Sequence, residues 1–167
     1  APIQDVAILE MKTSHDSVYP MQPFDVTLSV SIKPIPEPGT DHDPLSVQRR
    51  LVKLNLPWAD DEALPSGIEP KSPTERWLSE MGGETGGFSI NRMVASTSLF
   101  GSSTGFQPSP KRVVRSTTNG RRLDYWEYTF TRSFVATNVG SYDFGPVSLD
   151  GDFVTRIASD RRPQAEP

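Results

Sequence analysis

The sequence predicts a mostly β protein, an antiparallel sandwich, and three observations carry that prediction. "PFDVTLSVSIK" places Phe24, Val26, Leu28, Val30 and Ile32 on one side and Asp25, Thr27, Ser29, Ser31 and Lys33 on the other. Side chains alternate faces along a strand, so this segment belongs to a sheet with one buried and one solvated face. Sixteen prolines and twelve glycines in 167 residues are more than a helical bundle tolerates, because proline removes an N–H and clashes inside a helix. "KRVVRSTTNGRRLDYWEYTFTRSFV" then joins a turn signal to aromatics at every second position, the pattern of a hairpin.

The remaining elements follow in chain order. "VAILEM" is a first strand and "SVYPMQP" the turn that leads into the second. Pro34 to Pro44, with four prolines, a glycine and the acidic "DHD", is irregular loop. "LVKLNLPW" alternates with Val52, Leu54 and Leu56 on one side until Pro57 ends it. "SPTERWLSEMGG" predicts a short helix of about two turns, with Ser72 as N-cap, Pro73 at the first position, Glu75 three after the cap and Gly82 beyond the end. The following Gly/Ser/Thr-rich stretch is a long loop with one or two short strands. Asn119-Gly120 suits a type I′ turn, and after it Trp126, Tyr128, Phe130 and Phe134 share a face on which Arg132 is the exception. "SYDF", "VSL" and "DFVTRI" are the last elements. The expected organisation is one domain over 1–157 with a long loop-rich insertion at about 57–110 carrying one short helix, and a flexible polar tail over 158–167.

Composition excludes several function classes. The net charge is −4 and the isoelectric point about 5.2, unfavourable for general nucleic-acid binding, which needs clustered positive charge. Hydrophobic content of 35% and mean hydropathy of −0.45 allow one core. No run of about 18 apolar residues is present to span a membrane as a helix. With no cysteine, disulfides, thiol nucleophiles and thiolate metal sites are excluded. The chain starts at Ala1 with no basic-plus-apolar leader, which is read as a processed protein or an excised domain.

Asp41, His42 and Asp43 in "TDHDP" offer metal ligands, and so do Asp60, Asp61 and Glu62, but adjacent residues of an extended loop point apart, so solvated acidic loops are expected. "GGETGG" lacks the Lys-Ser/Thr of a phosphate loop and is expected to be a connector. His15 and His42 sit beside turns, "GSSTG" reads as loop and no Gly-x-Ser-x-Gly elbow occurs, so no catalytic residue and no cofactor is expected. Lys111, Arg112, Arg115, Arg121 and Arg122 cluster around the hairpin turn near Tyr125 and Trp126. Such a patch can bind single-stranded nucleic acid, but the acidic chain favours an acidic protein partner instead. Trp58 and Trp77 pack the insertion by default. If exposed they would contact a partner, or stack on sugar rings together with Trp126.

"NVGSYDFGPVSLDG" decides between ligand loop and sheet corner. Immunoglobulin-like sandwiches enter a late strand through a tyrosine corner, whose hydroxyl bonds to backbone a few residues upstream. Asn138, Gly140 and Tyr142 take the corner positions, Phe144 stands where that pattern carries a cysteine, and Gly145-Pro146 interrupts the ladder. The expectation is a buried Tyr142 with its hydroxyl on nearby backbone, and an immunoglobulin-like fold.

Two segments, "DSVYPMQPFDVTLSV" and "WEYTFTRSFVATNVGSYDFGPVSL", resemble the BatD family of oxygen-tolerance proteins. Val18, Tyr19, Pro23, Phe24, Val26 and Leu28 match the opening of its immunoglobulin-like module. Gly140, Tyr142, Phe144, Gly145 and Pro146 match the close, whereas "MQP" departs from the glycine usual in the family. The resemblance implies a non-catalytic, extracytoplasmic protein-interaction module of a bacterial, membrane-anchored envelope protein, with von Willebrand A-type proteins and a MoxR-type ATPase as associates. The alternative is a carbohydrate- or cell-wall-binding β-module.

Overall fold

The computed structural model describes residues 6–35, 43–48, 50–83, 86–96, 103–116 and 119–154. Ten strands and one helix occur among them: β1 (Ala7–Thr13), β2 (Pro23–Ile32), β3 (Val52–Asn55), β4 (Ile68–Pro70), α1 (Thr74–Glu80), β5 (Phe88–Ile90), β6 (Ala95–Ser96), β7 (Ser103–Thr104), β8 (Lys111–Ser116), β9 (Arg122–Ala136) and β10 (Ser148–Asp150). The expected β-sandwich with one short helix is what the chain forms. Its larger sheet runs β1-β2-β9, antiparallel throughout; its smaller runs β10-β3-β5; β6 and β7 form a separate pair.

β9 organises the larger sheet. One edge pairs with β2 from Trp126 to Val135, and the other carries β8 against its first half and β4 against its last three residues. The two sheets meet through rings at edge-to-face geometry, the arrangement favoured by the aromatic quadrupole. Phe88 of β5 lies 5.3 Å from Tyr128 and 5.0 Å from Phe130 of β9. All five predicted apolar residues of β2 are buried, as are Tyr128, Phe130 and Phe134. Each such ring or branched chain contributes about 1.5–3 kcal/mol by leaving water.

The stretch 57–110 is loop-rich, as expected, yet it supplies β4 to the larger sheet and β5 to the smaller, and Trp58, Trp77, Phe88 and Phe106 to the core. The smaller sheet is not wholly antiparallel, because β3 and β5 pair in parallel. Helix α1 begins one residue later than the punctuation suggests: Pro73 occupies the cap position and Ser72 makes no capping bond.

Turn chemistry differs from expectation too. Ser116 pairs with Arg122, which leaves a five-residue connection around Asn119-Gly120 rather than a two-residue turn. A two-residue turn of I′ type occurs instead at Asn91-Arg92, with φ of 46° and 68° and reciprocal bonds between Ile90 and Met93. Asn91 holds this strained backbone in place. Its side chain accepts from Leu56 N at 2.8 Å and donates to Leu56 O at 2.6 Å, continuing the sheet by other means. "SYDF" forms no strand, nor do residues 152–154 of "DFVTRI", while its remainder and the 158–167 tail lie outside the described residues.

Candidate functional site

The tyrosine corner forms as the spacing predicts. Tyr142 donates from its hydroxyl to Asn138 O, four residues upstream, at 2.5 Å. Phe144 is buried against Phe24 and Phe134, with centroids 5.9 and 5.3 Å away. Tyr142 itself is half-buried rather than buried, because its ring closes one wall of a surface groove. The left-handed residue of the corner is Gly145 at φ 73°, beside the Pro57 ring, rather than Gly140. Pro146 follows it, exposed, before β10 begins.

The groove measures about 410 Å³ and lies at one end of the sandwich, between the β1–β2 turn and the corner. Val18, Pro20 and Phe24 line it from one side, and Asn138, Val139 and Tyr142 from the other. Met21 N donates to Ala136 O at 2.8 Å, which locks the two segments together. Three large apolar side chains stand out of this end: Tyr19 at 82%, Met21 at 62% and Val139 at 91% exposure. Met21 also has φ of 63°, a conformation that costs a side-chain-bearing residue about 1–2 kcal/mol. Met21 takes this conformation at the third position of a turn closed by the Gln22 N–H donating to Tyr19 O at 3.0 Å. His15 and Asp16 sit on the rim. His15 Nδ1 lies 2.9 Å from Ser14 Oγ, which accepts from Asp25 N at 2.9 Å, so the serine is engaged in holding the turn.

Trp58 and Trp77 pack as their default reading expects, and the exposed partner or sugar contact offered for them is corrected. Both are buried, and their rings meet at 5.7 Å and 54°, so they form no exposed platform for sugar or partner. Arg132, the exception among β9's aromatics, lies beside them on the core side and is 2% exposed. Its guanidinium donates to Trp58 O at 2.9 Å, Ala59 O at 3.0 Å and Ser72 O at 2.9 Å, and pairs with Asp61. The same guanidinium lies over the Trp77 and Phe134 rings at 5.4 and 5.5 Å. A buried charge survives only when hydrogen-bonded and paired, and residues 58–74 wrap around this one to supply the partners. An arginine breaking an apolar period was the signal in the sequence.

The acidic motifs act structurally as well. Asp43 caps the turn at Pro44–Val47, accepting from Leu45 N at 2.9 Å, and receives hydrogen bonds from Tyr128 Oη and Gln107 Nε2. Burial raises its carboxyl above the ordinary value of 3.8, with the Leu45 N–H acting in the opposite sense. At Asp61 burial also pushes upward, but bonds from Arg132 and Thr74 outweigh it and hold the group below 3.8. Among the described residues no three His, Asp or Glu side chains converge as metal ligands, and Asp41 and His42 lie outside them. In "GGETGG", Gly86 and Gly87 have φ of 73° and 109°, and a Cβ there would lie 2.7 Å from Leu45 O and 2.9 Å from Phe106 O. Close backbone packing explains these glycines.

The basic cluster divides. Arg115 is half-buried and turned inward onto Glu127 and, at 3.4 Å, Glu10. Arg112, Arg121 and Arg122 are exposed at the hairpin end, with Arg112 5.1 Å above the Trp126 ring. β9 carries Arg122 away from the groove by its own length, roughly 45 Å at the rise of a strand, while Arg112, in register with Trp126, stands four positions nearer. No helix among the described residues is long and apolar enough to cross a membrane.

Comparison with known proteins adds no relative: no family model, no curated protein and no solved structure matches the chain.

Proposed function

We propose that the chain is a non-catalytic, extracytoplasmic protein-interaction module of a BatD-like bacterial envelope protein, and that the groove at the tyrosine corner is its docking surface. One observation carries the reading. The two segments that bear the family resemblance, 18–28 and 140–146, are remote in sequence yet together line the groove, and Tyr19, Met21 and Val139 beside it are exposed. Among the matched positions Tyr19 is exposed, while Phe24, Val26, Leu28 and Phe144 are buried in the core. The sugar-binding alternative loses support, since two of the three tryptophans it needs are in the core.

The test is capture of purified von Willebrand A-type envelope proteins on the immobilised chain, compared with Val139→Asp and Tyr19→Ala. Both side chains are exposed, so both variants should keep the wild-type melting temperature. Capture that falls by about tenfold or more in each supports the reading. Capture that is unchanged, or retention of cell-wall glycan without protein, overturns it.

A further inference from the structure

The two ends of the sandwich carry opposite charge. From Lys111 to Glu127 the sequence holds five basic side chains against two carboxylates, Asp124 and Glu127. Glu127 is engaged with Arg115 on the sheet face. Lys111 and Arg112 are exposed at the start of β8, in register with Glu127 and Trp126, Arg121 and Arg122 are exposed at the turn, and Val114 between them is 51% exposed. At the far end the groove lining contains Asp16 and no lysine or arginine. Asp143 and Glu69 are exposed on the corner and on β4 nearby. A chain of net charge −4 thus concentrates exposed positive charge at one end and an acid-rimmed apolar groove at the other.

We infer that the groove receives the basic hairpin end of a second copy of this chain, so that copies associate head to tail. The two surfaces match in kind: apolar Val114 among arginines meets apolar Tyr19, Met21 and Val139 with Asp16 at the rim. Like ends repel, which disfavours a symmetric tip-to-tip pair and fixes direction. The surfaces that meet are different patches, so the contact is heterologous and propagates from copy to copy unless its rotation closes a ring. The inference rests on the groove being a docking surface and names what docks there.

Sedimentation velocity across a concentration series up to about 1 mM tests it, the range in which weak specific association appears. Runs at ionic strengths of about 0.01 M and 1 M set screening lengths of roughly 30 Å and 3 Å. The sedimentation coefficient should rise with concentration at low salt and stay monomeric at high salt. The double reversal Arg121→Glu with Arg122→Glu, and separately Asp16→Lys, should each weaken association by about tenfold or more. Mixing the two should restore it, because each supplies the charge the other has reversed. All three residues are exposed, and the neutral pair Arg121→Gln, Arg122→Gln should lose part of the effect with the same melting temperature. A monomer at every concentration and salt, or association that survives either reversal, overturns the inference. If Val139→Asp abolishes capture of an envelope protein while the charge variants show no self-association, the docking groove stands and only the second copy falls.

Discussion

Two carboxylates tie two different loops to the same strand, and they do so in opposite electrostatic settings. Asp43 fastens the segment at 43–48 to Tyr128, and Asp61 fastens the segment at 57–74 to Arg132, four positions further along β9. Asp43 meets a neutral hydroxyl and an amide in a half-buried site, so burial dominates and its carboxyl is raised. Asp61 meets a guanidinium in a more exposed one, and charge-assisted bonds hold it low. Burial thus favours the protonated form of Asp43 in the folded protein even though each bond it accepts is stronger to the carboxylate, whereas the guanidinium favours ionised Asp61.

The largest effect expected from breaking this comparison is at Arg132. Arg132→Met keeps much of the volume but orphans the carbonyls of Trp58, Ala59 and Ser72, and should cost on the order of 3 kcal/mol in urea unfolding. Tyr128→Phe removes the hydroxyl donor to Asp43 and should cost about 1–2 kcal/mol at neutral pH, where the carboxylate is left short of a partner.

pH then separates the two tethers. Asp61, with its folded value below 3.8, contributes stability that is present above the unfolded value and lost as pH falls through the folded one. Asp43, with its folded value above 3.8, favours the folded state when protonated, and that contribution is lost as pH rises through the folded value. The difference in unfolding free energy between wild type and Asp61→Asn should therefore rise with pH across the acid range, and that for Asp43→Asn should fall. Parallel slopes would refute the assignment. The smallest effect is at the corner: Tyr142→Phe removes one hydrogen bond at a half-buried site and should cost about 1 kcal/mol, read as a shift of the urea midpoint.

What could be read in advance follows from where the determinants lie. β2, the β8–β9 hairpin and the corner were legible because alternation, turn residues and the Asn-Gly-Tyr spacing are local signals. The burial of Arg132 beside Trp58 and Trp77 was not, since its partners lie up to 74 residues away along the chain. The parallel pairing of β3 with β5 leaves no short-range pattern either. At Asn91-Arg92 an arginine takes a left-handed position that sequence preference assigns to glycine, and it does so because the asparagine side chain bonds to Leu56. The groove itself was hidden in plain view: its walls are the segments that carry the resemblance, but only folding brings them to one end.

The central place of β9 also sets a timetable for the chain. Thr27 and Thr131, bonded across β2 and β9, are separated by 104 positions, so the larger sheet can close only after nearly the whole chain exists. At synthesis rates of about 5–20 residues per second, β2 waits some 5–20 seconds for its neighbour. Throughout that interval the row from Phe24 to Ile32 has only β1 as a strand partner. Contacts this distant slow the search for the native state, and they make the early hairpin the segment most in need of a holding chaperone while the chain is being made.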